Sequence, residues 1–166
     1  KVIREVHEAS AGGEWNMSAS GWNFRRTVDV FRQVCEAVAY AHTKGVIHRD
    51  LKPANIMVGT FGEVLVVDWG LAKIMDEPET VLPEMEPVVV NHGSEDPVQT
   101  RLGSVQGTPT YMSPEQARGQ VNLLDERSDI YSLGVVLYEI LSGRRPYAGK
   151  NASEILSKVR AGPPPS

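Results

Sequence analysis

Apolar residues recur at spacings of three and four from Thr27 through Val28, Phe31, Val34, Cys35, Val38, Ala41 and His42, the period that puts side chains on one face of an α-helix. Thr27 is placed to cap its start and Gly45 to end it. A second long helix is predicted from about Asp125 to Ser142. There Ile130, Leu133, Val136, Leu137, Ile140 and Leu141 are spread so broadly that little of the surface should meet water. Shorter helices are expected over residues 1–10 and from Ser153 through Ile155, Leu156 and Val159. Ser113-Pro114-Glu115 opens another, with a capping oxygen, a ring suited to the first turn and an acid at the positive end. Between the long helices the period shortens. Ile56 to Val58 and Glu63 to Val67 are β-branched runs separated by Gly59, Thr60, Phe61 and Gly62, the signature of a small hairpin.

Composition changes this picture in one place. Residues 76–100 carry Asp76, Glu77, Glu79, Glu84, Glu86, Glu95 and Asp96 with four prolines and no Lys or Arg, so they bury too little to offset the entropy of ordering and read as a mobile loop. Without those seven acids the net charge of -4 becomes +3, and neither value points to nucleic acid as a partner. The single cysteine, Cys35, cannot form an internal disulfide. It sits among helix-periodic apolar residues, which suits a packed thiol in a reducing compartment. The longest apolar-rich run, Ile130 to Leu141, is too short to span a bilayer. The start at Lys1, without Met or leader, reads as an internal fragment, with targeting information outside it.

Four strings carry the candidate chemistry. His48-Arg49-Asp50-Leu51-Lys52-Pro53-Ala54-Asn55 matches the pattern H-R-D-L-x-x-x-N, and Asp68-Trp69-Gly70 follows thirteen residues after Asn55. Gly107-Thr108-Pro109-Thr110-Tyr111-Met112-Ser113-Pro114-Glu115 comes next, and then Asp125 to Gly134, with Asp129 near a helix start. A lone H-x-D is usually a turn or a capped helix end, and a lone D-x-G is as weak. Four strings in a fixed order are far more specific. Phosphoryl transfer from a nucleotide needs metal to neutralise phosphates, a carboxylate to orient the attacking hydroxyl and a cation near the moving group. These residue types supply all three.

Over roughly residues 20–160 the chain resembles the Ser/Thr protein kinase family, its bacterial Hanks-type members in particular. The resemblance implies an α+β, protein-kinase-like fold in which residues 1–166 form most of the helical C-terminal lobe, with a small β-hairpin. The catalytic loop would span residues 48–55, and the activation segment 68–115 with the acidic insert 76–100. By the same resemblance Asp50 would accept or orient the substrate proton and Lys52 would steady the γ-phosphate. Asn55 and Asp68 would hold Mg²⁺, an oxygen-only set suited to a hard cation. Met57 would floor the adenine pocket, flanked by Ile56 and Val58, and Thr108 would bond near Asp50 and Lys52. Lys52 and Thr108 stand where Ser/Thr-specific members have them, whereas tyrosine kinases differ at both places. Small-molecule phosphotransferases lack the Pro-Glu segment. ATP, Mg²⁺ and a protein substrate are the implied partners, and a cytoplasmic kinase domain the implied location.

Structural roles are implied for His48 and Trp69, packed together in the apolar spine, for Glu115, and for Asp129, which would brace the catalytic-loop backbone. Trp69 replaces the usual Phe, and its indole N–H will need a partner. Ser113 replaces the usual Ala and can still cap. Arg49 before the catalytic Asp is the arrangement used to grip an activation-loop phosphate, with Thr100 and Ser104 the candidate acceptors. Thr108, Thr100 and Ser104 read without the resemblance are turn or solvated loop residues. His92 and the surrounding acids lack metal-ligand spacing.

No G-x-G-x-x-G loop, V-A-I-K lysine or partner glutamate occurs in the chain, so the N-terminal lobe and the roof over ATP are expected to be absent. The last helices of the C-terminal lobe are missing as well, which leaves apolar surface exposed and the fragment weakly stable and inactive alone. The competing function is a non-catalytic, pseudokinase-like binding module or an inactive truncated kinase.

Overall fold

The computed structural model describes residues 1–11, 15–75 and 108–162. The expected mobile loop over 76–100 and the candidate phosphoacceptors Thr100 and Ser104 lie outside the described residues. Helix α1 spans Val2–Ala9 and α2 spans Phe24–Thr43. Short strands β1 (Val46–Ile47), β2 (Ile56–Val58), β3 (Val64–Val66) and β4 (Lys73–Ile74) follow. Helices α3 (Pro114–Ala117), α4 (Glu126–Ser142) and α5 (Ala152–Ala161) complete the set. No described helix is long and apolar enough to cross a membrane.

Helix α2 starts three residues earlier than the apolar period suggests. Asn23, in extended conformation, accepts a 2.8 Å hydrogen bond from the Arg26 N–H and so satisfies one of the amides orphaned at a helix start. Thr27 is not the cap. It lies inside the first turn, buried, with its hydroxyl donating to the Asn23 carbonyl at 2.9 Å. Gly45, at φ 71, turns the chain out of the helix as expected, a conformation that favours residues without a Cβ.

The hairpin forms in antiparallel register, with Ile56 opposite Val66, Met57 opposite Leu65 and Val58 opposite Val64. Strand alternation turns Ile56, Val64 and Val66 onto a core of Val34, Val38, Leu51 and Leu133. Met57 and Leu65 face outward and are more than half exposed. Cys35 is packed at the edge of this core, and burial pushes its thiol pKa up. A second strand pair, β1 with β4, was not legible in the sequence. Each partner is two residues long, with Val46 opposite Ile74 and Ile47 opposite Lys73, too short for any alternation to register.

Helix α4 lies between α2 and the segment that follows Thr108. Its buried face holds Leu133, Val135, Val136 and Ile140 but also Ser128, Asp129 and Ser132, whereas Ile130 and Leu141 are 58% and 54% exposed. The expected near-complete burial of its apolar residues is therefore corrected. Polar side chains take part of the inward face because each has a partner there. Ser132 Oγ donates to the Tyr111 carbonyl at 2.7 Å, and Ser128 Oγ to Glu115 Oε1 at 2.7 Å, which offsets the cost of burying them.

Two outcomes test this packing. Leu51→Ala removes a side chain only 1% exposed, and unfolding in urea should show a loss of about 2–5 kcal/mol. Burial, then the bond to the Glu139 carboxylate, pushes the Tyr111 phenol well above its usual 10. The folded state thus keeps its proton where the unfolded chain loses it, and this stability fades as pH rises past that value. Tyr111→Phe should flatten the alkaline part of a stability-against-pH curve measured by urea midpoints.

Candidate active site

The segment from His48 to Asn55 runs between β1 and β2 and is irregular up to a single 3₁₀ turn at Pro53–Asn55, so something other than a strand or helix ladder must hold its first residues. Asp129, in the first turn of α4 and 1% exposed, does so. Its Oδ2 accepts the His48 N–H at 2.8 Å and its Oδ1 the Arg49 N–H at 2.9 Å. His42, on the last turn of α2, places Nε2 2.8 Å from the same Oδ2. The positive end of α4 favours a carboxylate at this place. Arg49, held by this bond, has φ 67, a left-handed conformation that a Cβ makes costly by about 1–2 kcal/mol.

His48 is fully buried, its ring 4.5 Å from that of Trp69. Nε2 lies 3.0 Å from the Val67 carbonyl, which only accepts, so Nε2 carries the proton. Nδ1 then accepts the Asp50 N–H at 3.3 Å. Both ring nitrogens are thus used in holding backbone. The indole N–H of Trp69 finds the Val66 carbonyl at 2.9 Å.

The Asp50 carboxylate is 8% exposed. Oδ1 accepts the Thr108 N–H at 3.1 Å, and Oδ2 meets Lys52 Nζ at 2.5 Å. Lys52 Nζ also donates to Thr108 Oγ1 at 3.0 Å. Two residues from separate segments, Lys52 and Thr108, 56 positions apart, therefore close on one carboxylate. Asn55 spends its amide N–H₂ on the Asp50 carbonyl at 2.9 Å, with Asp50 Oδ2 at 3.4 Å. That orientation leaves its carbonyl oxygen as the atom it would offer a cation.

Asp68, two residues beyond β3, has φ 66 and an exposed side chain. The Val67 N–H donates to the Asn55 carbonyl at 2.9 Å, which keeps Asp68 beside the loop from His48 to Asn55. Asn55 and Asp68 are oxygen donors that flank the paired strands of the hairpin, one just before β2 and one just after β3, and such a pair suits Mg²⁺ shared with phosphates and water. Among the described residues no group of three or more His, Cys, Asp or Glu side chains is placed to hold a metal ion.

The remaining sequence candidates fall around this centre. Met57 lies on the open face of the hairpin beside Leu65. The Arg49 guanidinium donates through Nε to the Leu71 carbonyl. Glu115 accepts from Ser128. The sequence reading missed His42, taken only as one of the helix-periodic positions, and Gln116, whose side chain reaches the Arg49 carbonyl at 2.6 Å. A capping box offered a local signal for Gln116, three residues after Ser113; nothing local marked His42.

The profile of the protein kinase domain matches residues 7–162. The chain is 43% identical over 148 residues, 89% of its length, to the serine/threonine-protein kinase PknD of Protochlamydia amoebophila (strain UWE25). It is 41% identical over 145 residues, 86% of its length, to the serine/threonine-protein kinase PknB of Mycobacterium tuberculosis (strain ATCC 25618 / H37Rv). The chain spans 14% and 20% of those two relatives. With the match covering nearly all of it, and with the loop geometry of Asp50, Lys52, Asn55 and Thr108, the chain belongs to the protein kinase domain family.

Proposed function

We propose that this chain is the catalytic half, the C-terminal lobe, of a bacterial protein kinase that transfers the γ-phosphoryl group of ATP to serine or threonine hydroxyls of a protein substrate. One observation carries the reading: the Asp50 carboxylate is bonded to both Lys52 and the Thr108 backbone. Relatives named serine/threonine-protein kinases support the hydroxyl class.

Asp50 receives the substrate hydroxyl's hydrogen bond and aims its oxygen at the phosphorus, while Lys52, already at the carboxylate, neutralises charge on the moving phosphoryl group. Thr108 ties the segment that presents the hydroxyl to the loop that receives it. Asn55 and Asp68 would hold Mg²⁺, which when bound would screen the phosphate charge. Met57 and Leu65 offer the outward apolar surface against which an adenine ring packs.

Steady-state phosphorylation by the full-length protein, with Mg-ATP and a mixed Ser/Thr peptide library, tests this. Asp50→Asn should lower kcat by about 10²- to 10⁴-fold without loss of folding by circular dichroism. A folded parent that transfers no label to Ser or Thr would leave the family's non-catalytic binding role as the better account. Thr108→Val should cost kcat with serine and threonine peptides alike, because it frees Lys52 Nζ from its second anchor; unchanged kinetics would remove Thr108 from the site.

A further inference from the structure

Arg49 occupies the left-handed region immediately before the residue that does the chemistry, so the direction of Asp50 depends on how firmly that peptide is held. Its N–H is fixed by Asp129. Its carbonyl is fixed from the opposite side by Gln116, whose Nε2 donates to it at 2.6 Å. Gln116 is 6% exposed, and its Oε1 simultaneously accepts the Ser113 N–H at 3.0 Å and lies 3.2 Å from Ser113 Oγ. The orientation of the amide is unambiguous, since a carbonyl can only accept and a backbone N–H only donate. A neutral amide of this length is the side chain that offers a donor to one partner and an acceptor to the other.

We propose that Gln116 is a positioning residue for phosphoryl transfer: its amide clamps the Arg49 carbonyl to the Ser113 backbone, locking the peptide before Asp50 in register with the segment that presents Thr108. The segment from Thr108 to Ala117 then grips the catalytic loop at two points. Thr108 N–H holds the Asp50 side chain, and Gln116 holds the backbone one residue earlier. A shift of the segment that broke the second contact would release the strained peptide and turn the carboxylate away. The kinetic consequence rests on the phosphoryl-transfer reading above; the structural one rests on the hydrogen bonds alone.

Gln116→Glu separates the two halves of the clamp. Glutamate keeps the acceptor that completes the capping box with Ser113, so α3 should persist, but it turns a carboxylate oxygen toward the Arg49 carbonyl. Protonating that carboxyl restores a donor. In the full-length protein with Mg-ATP and a Ser/Thr peptide, Gln116→Glu should lower kcat by about 10- to 100-fold with KM for ATP unchanged. The ratio of variant to parent activity should climb as pH falls. Gln116→Met, similar in length and without polar atoms, should lose kcat with no such recovery.

Amide hydrogen exchange on the same proteins supplies the reading independent of activity. In Gln116→Glu, exchange should quicken across His48 to Lys52 while the Ala117 and Arg118 amides, bonded within α3, stay protected. Unchanged kcat together with unchanged exchange over His48 to Lys52 overturns the proposal. So does faster exchange of loop and helix together, which would make Gln116 a cap and nothing more. If Gln116→Glu does not fold, Gln116→Met decides by the same exchange comparison. If the parent itself transfers no phosphate, the kinase reading fails, and selective loosening of the loop still upholds the clamp while its absence refutes it.

Discussion

The eight-residue loop proposed to carry the chemistry of this chain has little backbone ladder of its own, and it keeps its shape because a carboxylate is buried beneath it. Asp129 accepts from two consecutive backbone N–H groups and faces His42. Taking a carboxylate out of water costs several kcal/mol, and here the three polar contacts and the amino end of α4 offset that cost. The strained peptide at Arg49 persists only because the groups around it over-determine its position. The surrounding packing follows from the same requirement. Helix α4 must present Asp129 inward, so Ser128 and Ser132, one residue before it and three after, also face protein, while Ile130 is left in solvent.

Around that anchor distant segments are tied together by polar contacts as well as by the hydrophobic clusters. His48 joins the loop to the end of the hairpin through Val67. Thr108 and Gln116 bring the later segment onto the loop, and Tyr111 and Glu115 fasten that segment to α4 through Ser132, Ser128 and Glu139. Apolar clusters set which elements are neighbours. The directional bonds set where Asp50 points, because hydrophobic contact is non-directional and tolerates small rotations that a 2.8 Å bond does not.

Much of this was legible in the residues. Helices appear where the three-and-four spacing occurs, and the hairpin spans the expected β-branched runs. The eight-residue string from His48 to Asn55 named its own chemistry, since few other contexts demand His, Arg, Asp, Lys and Asn in that order. The misreadings share a cause. Thr27 and Asn23 are both competent caps, and the choice depends on where the preceding chain enters. Ile130 and Leu141 look like core residues until the partners of Ser128 and Ser132 are known.

The order of chemical groups along the chain, the main helices and the hairpin, and membership in a phosphotransfer family were set by the sequence alone, because periodicity and motif spacing are local properties. Which donors meet at Asp50, how Arg49 is held in a left-handed conformation, and why His42 and Gln116 matter were decided only by the tertiary structure. The contacts that Thr108, Gln116, Asp129 and His42 make there join residues 56 to 87 positions apart. A pairing at that range is fixed by how whole elements pack, not by anything the intervening residues spell out.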